Sequence, residues 1–267
     1  MQRADANVTL QIRDFIRTTL STAGFSHVVV NISGGVDSAV TAALALEAVG
    51  PQHLFLAMMP YGASGTPGVR HAMLLVEALH LPKEQCFLLD IKRAVDTIVE
   101  QIVAPNRVRL GNIMARVRMM YLFDLAKQLG ALVCGTENRT EQYLGYFTRF
   151  GDEASDLEPI RSLYKTQVWE LAHALNLPPQ IIQQVPTAGL WEDQTDEEEL
   201  GFSYQDADVV LFHAFEEHLT VDDIVAKGVP REIVVQVLER VERFDFKHHL
   251  PYVYPGKAEG VRRKRWS

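Results

Sequence analysis

Cysteine is nearly missing from this chain: Cys86 and Cys134 are the two cysteines in 267 residues. Both stand in apolar, strand-like runs without metal-ligand spacing. That argues against a disulfide framework or a cysteine-based zinc site, and predicts buried, reduced thiols of the kind a cytoplasmic protein carries. An excess of basic charge is missing too. With 26 Lys and Arg against 34 Asp and Glu, the net charge is −8, so nucleic acid is not expected as the main partner. The first seven residues hold no apolar signal region, and no run approaches the ~20 residues of a membrane span. A soluble chain with no membrane partner is therefore expected. Internal repeats, low-complexity linkers and a domain boundary are absent, so residues 1–267 read as one domain. Two nucleotide motifs are also lacking. There is no G-x-x-x-x-G-K-[ST], the common loop for cleavage between the β- and γ-phosphates, and no dinucleotide-binding G-x-G-x-x-G.

What is present is ordinary in amount, 47% hydrophobic and 22% charged, and suffices for one large α/β core. Apolar residues at helical spacing predict a helix over 7–22, closed by Gly24. Strands are expected over 27–32, 53–59 (ended by Pro60), 85–89 and 131–135. Between them, helices are expected over 39–46, 69–80, 91–103 and 106–129. A Gly/Ser/Pro-rich loop, residues 62–68, precedes the helix over 69–80. Beyond residue 160 the pattern turns helical, over 164–175, 203–217, 221–227 and 230–243. Strands alternating with helices predict a doubly wound parallel sheet of the α/β, Rossmann-like class, with a helical C-terminal part. In such sheets ligands sit beyond the carboxyl ends of the strands. The ends at Ser33, Met59–Pro60 and Gly135–Thr136 should then share one rim.

The most informative stretch is Ser33-Gly34-Gly35-Val36-Asp37-Ser38. It joins the β-branched run His27-Val28-Val29-Val30-Asn31-Ile32 to an Ala/Leu-rich helix, so it is a strand-to-helix turn. Paired glycines permit backbone conformations and approaches that a Cβ forbids. The free N–H groups and positive end of the next helix make the turn an anion site, usually for polyphosphate. Ser33 and Ser38 add hydroxyls. Asp37 would repel phosphate unless a divalent cation lay between them.

The turn matches S-G-G-x-D-S, the signature of N-type ATP pyrophosphatases, whose fold is of the adenine nucleotide alpha-hydrolase kind. That resemblance implies cleavage of ATP to AMP and pyrophosphate through an adenylated substrate. On its own it leaves GMP, argininosuccinate, asparagine and NAD synthesis open, together with tRNA thiolation. Later motifs choose. Gly111-Asn112-Ile113-Met114-Ala115-Arg116-Val117-Arg118-Met119 resembles the G-N-x-x-A-R-x-R-M helix of NAD synthetases. The Gly135-Thr136-Glu137-Asn138-Arg139-Thr140-Glu141 loop resembles their G-T-x-N-x-x-E. Residues 144–152 resemble L-G-Y-F-T-K-Y-G-D, residues 163–168 match L-Y-K-T-Q-V, and residues 186–197 match P-[ST]-A-G-L-W-x-x-Q-T-D-E. In order over residues 33 to about 204, the chain is similar to the ammonia-dependent NAD synthetases.

The resemblance implies a ligase that amidates nicotinate adenine dinucleotide (deamido-NAD) to NAD with ATP and ammonia. Ser33, Gly34, Gly35, Val36, Asp37, Ser38, Met59, Thr136, Lys165 and Thr187 would hold ATP. Asp37 and Glu141 would bind Mg²⁺, and Lys165 would add a fixed positive charge at the leaving pyrophosphate. Asp37 and Lys165 would thus be the catalytic pair. Arg116, Arg149, Asp152 and Lys247 would bind deamido-NAD. Residues 187–199 would serve as a lid excluding water from the mixed anhydride. The chain departs from the pattern in three places. Arg149 stands where lysine is usual, Glu153-Ala154 replace glycines, and Phe246-Lys247 stand where a His-Lys pair is frequent.

Family members are homodimers with the dinucleotide across the interface, and the apolar-rich helix of Arg116 suits one. No glutaminase domain is expected in 267 residues, so free ammonia is the expected donor. Several conspicuous residues receive no role. Arg118 reads as structural, and Asp196–Glu199 as a capped, solvated helix start with capping-box spacing from Thr195 to Glu198. The run Arg262-Arg263-Lys264-Arg265 reads as a solvated tail. His248-His249 are not taken as metal ligands, because adjacent residues on a helix diverge. Two rival functions fit less well. A tRNA-thiolating enzyme would need a cysteine pair or a basic surface, and a non-catalytic regulator would have lost Asp37, Glu141 or Lys165. Neither condition is met.

Overall fold

The computed structural model describes residues 6–62, 66–187, 195–249 and 251–254. Helix α1 (Ala6–Ala23) leads into β1 (His27–Asn31), α2 (Val36–Val49), β2 (Leu54–Met58), α3 (Pro67–Ala78) and the short β3 (Cys86–Leu88). Then come α4 (Lys92–Glu100), α5 (Arg107–Leu129), β4 (Ala131–Cys134) and α6 (Arg139–Leu144). The strands form one parallel sheet in the order β3-β2-β1-β4. Order reverses beside β1, so the carboxyl ends of β1 and β4 flank the switch point where such sheets bind ligands.

Strand alternation sorts side chains into two cores. Val28 and Val30 of β1, Leu54, Leu56 and Met58 of β2 and Cys134 of β4 join a core built with α1, α2, α3 and α7 (Lys165–Ala174). Val29, Ala57, Ala131 and Val133 face the opposite core, under α4 and α5. Period-two alternation thus buries both faces, which is why β1 is a near-continuous apolar run. Val28, Val29 and Val30 are fully buried, each contributing about 1.5–3 kcal/mol relative to exposure.

The C-terminal part is helical, as expected. It comprises α8 (Pro179–Ile182), α9 (Asp196–Leu200), α10 (Tyr204–Leu211), α11 (Val221–Ala226) and α12 (Arg231–Phe244), with a π-helical turn at Phe212–Glu216 and a 3-10 turn at Asp245–His248. Together with α6 these helices enclose a third core around Leu144, Tyr204, Val210, Val234 and Val237. Three details differ from expectation. The helix expected over 203–217 changes to π geometry at Phe212. The short helices α6 and α8 interrupt stretches with no strong periodicity, whereas α9 falls where a capped helix start is expected. Cys134 is buried, but Cys86 is only half-buried, because its strand lies at the sheet edge. Among the described residues, no helix is long and apolar enough to cross a membrane.

Candidate functional site

The turn at residues 33–38 is held in shape by its own serines. The Ser33 amide donates to Ser38 Oγ at 3.3 Å, Ser38 Oγ donates to the Gly35 carbonyl at 3.0 Å, and the Gly35 amide donates to Ser33 Oγ at 3.2 Å. Ser38 is buried and spends its hydroxyl on the turn, whereas Ser33 is exposed. Gly35 is the N-cap of α2, and no side chain caps that helix start. Val36 opens the helix and packs into the core. Gly34 has φ +92°, and a Cβ on it would lie 2.3 Å from the Gly68 carbonyl oxygen. The turn therefore touches the start of α3 backbone to backbone, which only glycine permits.

Three distant segments meet at the mouth of this turn. Lys165 Nζ lies 2.6 Å from Asp37 Oδ2 and 3.2 Å from Glu141 Oε1, with the lysine side chain only 3% exposed. Burial works against its ammonium, but Asp37 and Glu141 outweigh that, and the pKa rises above the ordinary lysine value. Glu141 is pushed up by burial, with Lys165 opposing and Asp37 adding. Asn138 ties the group together. Its side-chain oxygen accepts from the Glu141 amide at 2.9 Å, and Glu141 Oε2 accepts in return from the Asn138 amide at 3.4 Å. The other end of the Asn138 amide donates to Asp37 Oδ1 at 2.8 Å. A capping box at the start of α6 thus also fixes Asp37.

Lys165 itself is fixed from behind. It is the first residue of α7, and its amide donates to Thr140 Oγ1 at 2.9 Å. Thr140 donates to the fully buried Asp208, which also accepts from the Thr166 amide at 2.8 Å and the Thr166 hydroxyl at 2.7 Å. Replacing Asp208 with alanine strands three donors beside a helix start, that of Thr140 buried and the two of Thr166 half-buried. Asp208→Ala should destabilise the fold by about 3–5 kcal/mol and lower turnover, with Asp208→Asn milder in both; urea unfolding and initial rates check this. Variants as stable and as active as wild type would show that the network does not hold Lys165.

Asp196 corrects the sequence reading. It does start a helix capped by Thr195, whose side chain accepts from the Glu198 amide, but it is 4% exposed rather than solvated. Its carboxylate takes hydrogen bonds of 3.0 Å from the hydroxyls of Tyr146 and Tyr204. Its amide donates to the Pro186 carbonyl at 3.0 Å. Burial pushes its pKa up, opposed first by Lys165. Thr187 follows Pro186 in the chain, while residues 188–194 of the expected lid, residues 63–65 of the Gly-rich loop and the basic tail at 262–265 lie outside the described residues.

The residues expected to hold the second substrate form a neighbouring patch. Arg116 is exposed, and its Nε donates to the Arg149 carbonyl at 3.2 Å. The Arg149 guanidinium stacks over the Phe246 ring at 5.1 Å. Asp152 Oδ1 accepts from the Thr148 amide at 3.0 Å. Lys247 is not a free cation: its ammonium donates to the carbonyls of Gly145 (2.6 Å) and Phe147 (2.5 Å). Between Arg149 and Gly151, Phe150 has φ +55° and is 57% exposed, a conformation costing about 1–3 kcal/mol for a non-glycine residue. Met59 is buried at the end of β2, and its carbonyl accepts from Arg118 Nε at 3.0 Å, in keeping with a structural Arg118. His248 packs against the Phe147 ring while His249 reaches Asp245.

The structure thus brings Asp37, Glu141 and Lys165 together beside the turn, and Arg116, Arg149, Asp152 and Lys247 around residues 145–152. Sequence reasoning missed Asn138, Asp208, Tyr146, Tyr204 and Asp196. A signal existed for the first, since Asn-x-x-Glu is a capping-box pattern.

Comparison with known proteins finds relatives over nearly the whole chain. The NAD synthase family profile matches residues 8–251. An NH3-dependent NAD+ synthetase of Fusobacterium nucleatum is 39% identical over 95% of this chain and 98% of its own. The solved NH3-dependent NAD synthetase of Campylobacter jejuni superposes with a TM-score of 0.78 and 30% identity, covering 93% of this chain and 98% of that one. The NMN synthetase of Francisella tularensis superposes with a TM-score of 0.80 at 29% identity, covering 94% and 98%. With the family profile and relatives of about 40% identity matching over nearly all its length, this chain belongs to the NAD synthase family.

Proposed function

We propose that the protein is an ammonia-dependent NAD synthetase, amidating deamido-NAD at the expense of ATP, which leaves as AMP and pyrophosphate. The observation that carries this reading is Lys165 bound between Asp37 and Glu141 at the mouth of the S-G-G-x-D-S turn. The uncapped N–H groups of α2 and the Ser33 hydroxyl suit the pyrophosphate of ATP. Thr136, Thr187 and the end of β2 at Met59 suit the rest of the nucleotide. Two carboxylates from separate segments, with Asp196 behind them, leave local negative charge in excess of the one lysine. Such hard oxygen donors fit Mg²⁺ shared with substrate phosphates, so Asp37 and Glu141 would hold it. The ion would supply neutralisation of charge on the leaving pyrophosphate. Lys165 supplies a fixed charge at the same place.

Arg116 and Arg149 suit the anionic groups of deamido-NAD, with Asp152 beside them. Lys247 contributes by fixing residues 145–147, from which Arg149 follows. Once the nicotinate carboxylate is adenylated, ammonia attacks its carbon and AMP leaves. A homodimer accords with the apolar side chains that α4 and α5 leave exposed, Ile98, Val108 and Met120. A cytoplasmic setting accords with two unpaired thiols.

The test combines protein, ATP, Mg²⁺, deamido-NAD and ammonium, and follows NAD and AMP. Equimolar NAD and AMP are expected. Nicotinate mononucleotide should be run in parallel, because the Francisella tularensis relative is an NMN synthetase; preference for it would move the substrate to the mononucleotide. ADP in place of AMP, or no amide product, defeats the proposal.

A further inference from the structure

Glu137 has no part in the roles assigned above, yet it lies between Thr136 and Asn138 in the loop that lines the site. It is 6% exposed. Its Oε2 takes a charged hydrogen bond from Arg161. Its Oε1 is buried with no hydrogen-bond partner among the described residues, and the Nε of Arg161, on the same ion pair, is likewise without one. A buried carboxylate oxygen without a donor is costly, and its chemical complement is a small cation bearing N–H groups. The surroundings are acidic. Glu158 Oε2 accepts from the Glu137 amide at 3.2 Å, Ser155 donates to Glu158 Oε1 at 2.7 Å, and Asp152 adds negative charge. Glu158 lies so close over Gly135 that a Cβ there would meet it at 1.9 Å. Glu158 and Arg161 also line a solvent-open groove of about 1070 Å³ bounded by α1, α6 and α7. Glu137 thus follows Thr136, expected at ATP, in the chain and feels the charge of Asp152, expected at deamido-NAD, while its partners Glu158 and Arg161 reach the groove.

We propose that Oε1 of Glu137 binds ammonium and removes a proton from it, delivering ammonia beside the activated carboxylate. This rests on the functional reading above and names the group that handles its nitrogen substrate. Ammonium gives one proton to Glu137, which becomes a carboxylic acid, and the nitrogen keeps the electron pair. That pair forms the C–N bond, the C–O bond to AMP breaks with its electrons on the AMP phosphate, and the second nitrogen proton passes to water. Burial pushes the Glu137 carboxyl up to about 8; Arg161 opposes this, while Glu158 and Asp152 add to it, and Lys247 faces the group from the C-terminal turn. An ordinary glutamate, at ~4.3, would leave the proton on nitrogen. A carboxyl near 8 approaches the ~8–10 range of simple amines, where transfer is nearly balanced, and at pH 7 the roughly one-tenth that is ionised is the form that takes the proton.

Glu137→Gln keeps the shape of the side chain and removes the proton acceptor. At pH 7 with ammonium, NAD formation should fall by about 10²-fold. Its rate should then climb about tenfold per pH unit as free ammonia replaces ammonium, while wild type changes less. Exchange of labelled pyrophosphate into ATP with deamido-NAD needs no ammonia and should stay within about twofold of wild type. A variant that matches wild type at pH 7, or loses exchange and NAD formation in equal measure, overturns the proposal. Arg161→Gln is the second arm: without the guanidinium the carboxyl should rise further and the pH optimum should move up. An unmoved optimum also counts against it. Absence of NAD from wild type would instead defeat the functional reading.

Discussion

Lys165→Met is expected to lower NAD formation by at least about 10²–10³-fold, the effect of deleting one preorganised charge at a developing anion. The same substitution should destabilise the free protein by about 3–5 kcal/mol. Two effects coincide because the ammonium serves both the reaction and the fold. It is nearly inaccessible, and it is the one cation within salt-bridge distance of Asp37 and Glu141 among the described residues. In the methionine variant those carboxylates would face each other uncompensated, with Asp196 behind them. Its longer-range neighbours would remain, since Tyr146 and Tyr204 already hold Asp196. Pyrophosphate release and urea unfolding measure the two effects separately. Activity within tenfold of wild type would remove Lys165 from the chemistry, and unchanged stability would show that the carboxylates pair elsewhere.

Gly34→Ala carries the second large effect. Backbone strain at φ +92° alone should cost about 1–3 kcal/mol. The added methyl also meets the Gly68 carbonyl oxygen at 2.3 Å, and that oxygen is backbone, with no side-chain rotation to relieve the clash. Either the turn or the start of α3 must move. The expected result is a rise in KM for ATP together with a fall in kcat of about 10²-fold, as for a misplacement of the reacting groups of order 1 Å. Gly24→Ala is the control: its φ is +78°, nothing lies within 4 Å of the added methyl, and it closes a helix away from the site. It should show strain without an ATP defect. Unchanged kinetics in Gly34→Ala would mean that the turn's contact with α3 is not needed for nucleotide binding.

What could be read from the sequence was set by short-range physics. The β-branched run before Ser33 and the glycine pair after it define strand, turn and helix within about ten residues, and all four strands could be found from apolar runs. Helix α6 escaped because six residues show no periodicity, although Asn138 and Glu141 carry its cap. The burial of Asp196 is hidden in the sequence for another reason. A run of four acidic residues reads as solvated, and only Tyr146, 50 positions earlier, and Tyr204 from α10 turn its first member inward. Lys247 shows the same limit: nothing local says that its ammonium is consumed by two carbonyls 102 and 100 positions away. Family motifs supplied which residues matter. Tertiary contacts decided which of them stand free.

The strand order also has a consequence for the chain as it is being made. On one side β1 pairs with β2, which follows it closely, but its other edge pairs with β4. About 100 residues separate Asn31 from Ala131. At a synthesis rate of ~5–20 residues per second, that edge waits roughly 5–20 s for its partner. During the wait Val28, Val29 and Val30 present an open, apolar strand edge, the feature that invites pairing with a foreign strand. The parallel sheet hides this edge completely once β4 arrives, so the hazard of aggregation falls in the seconds of translation rather than in the lifetime of the finished enzyme.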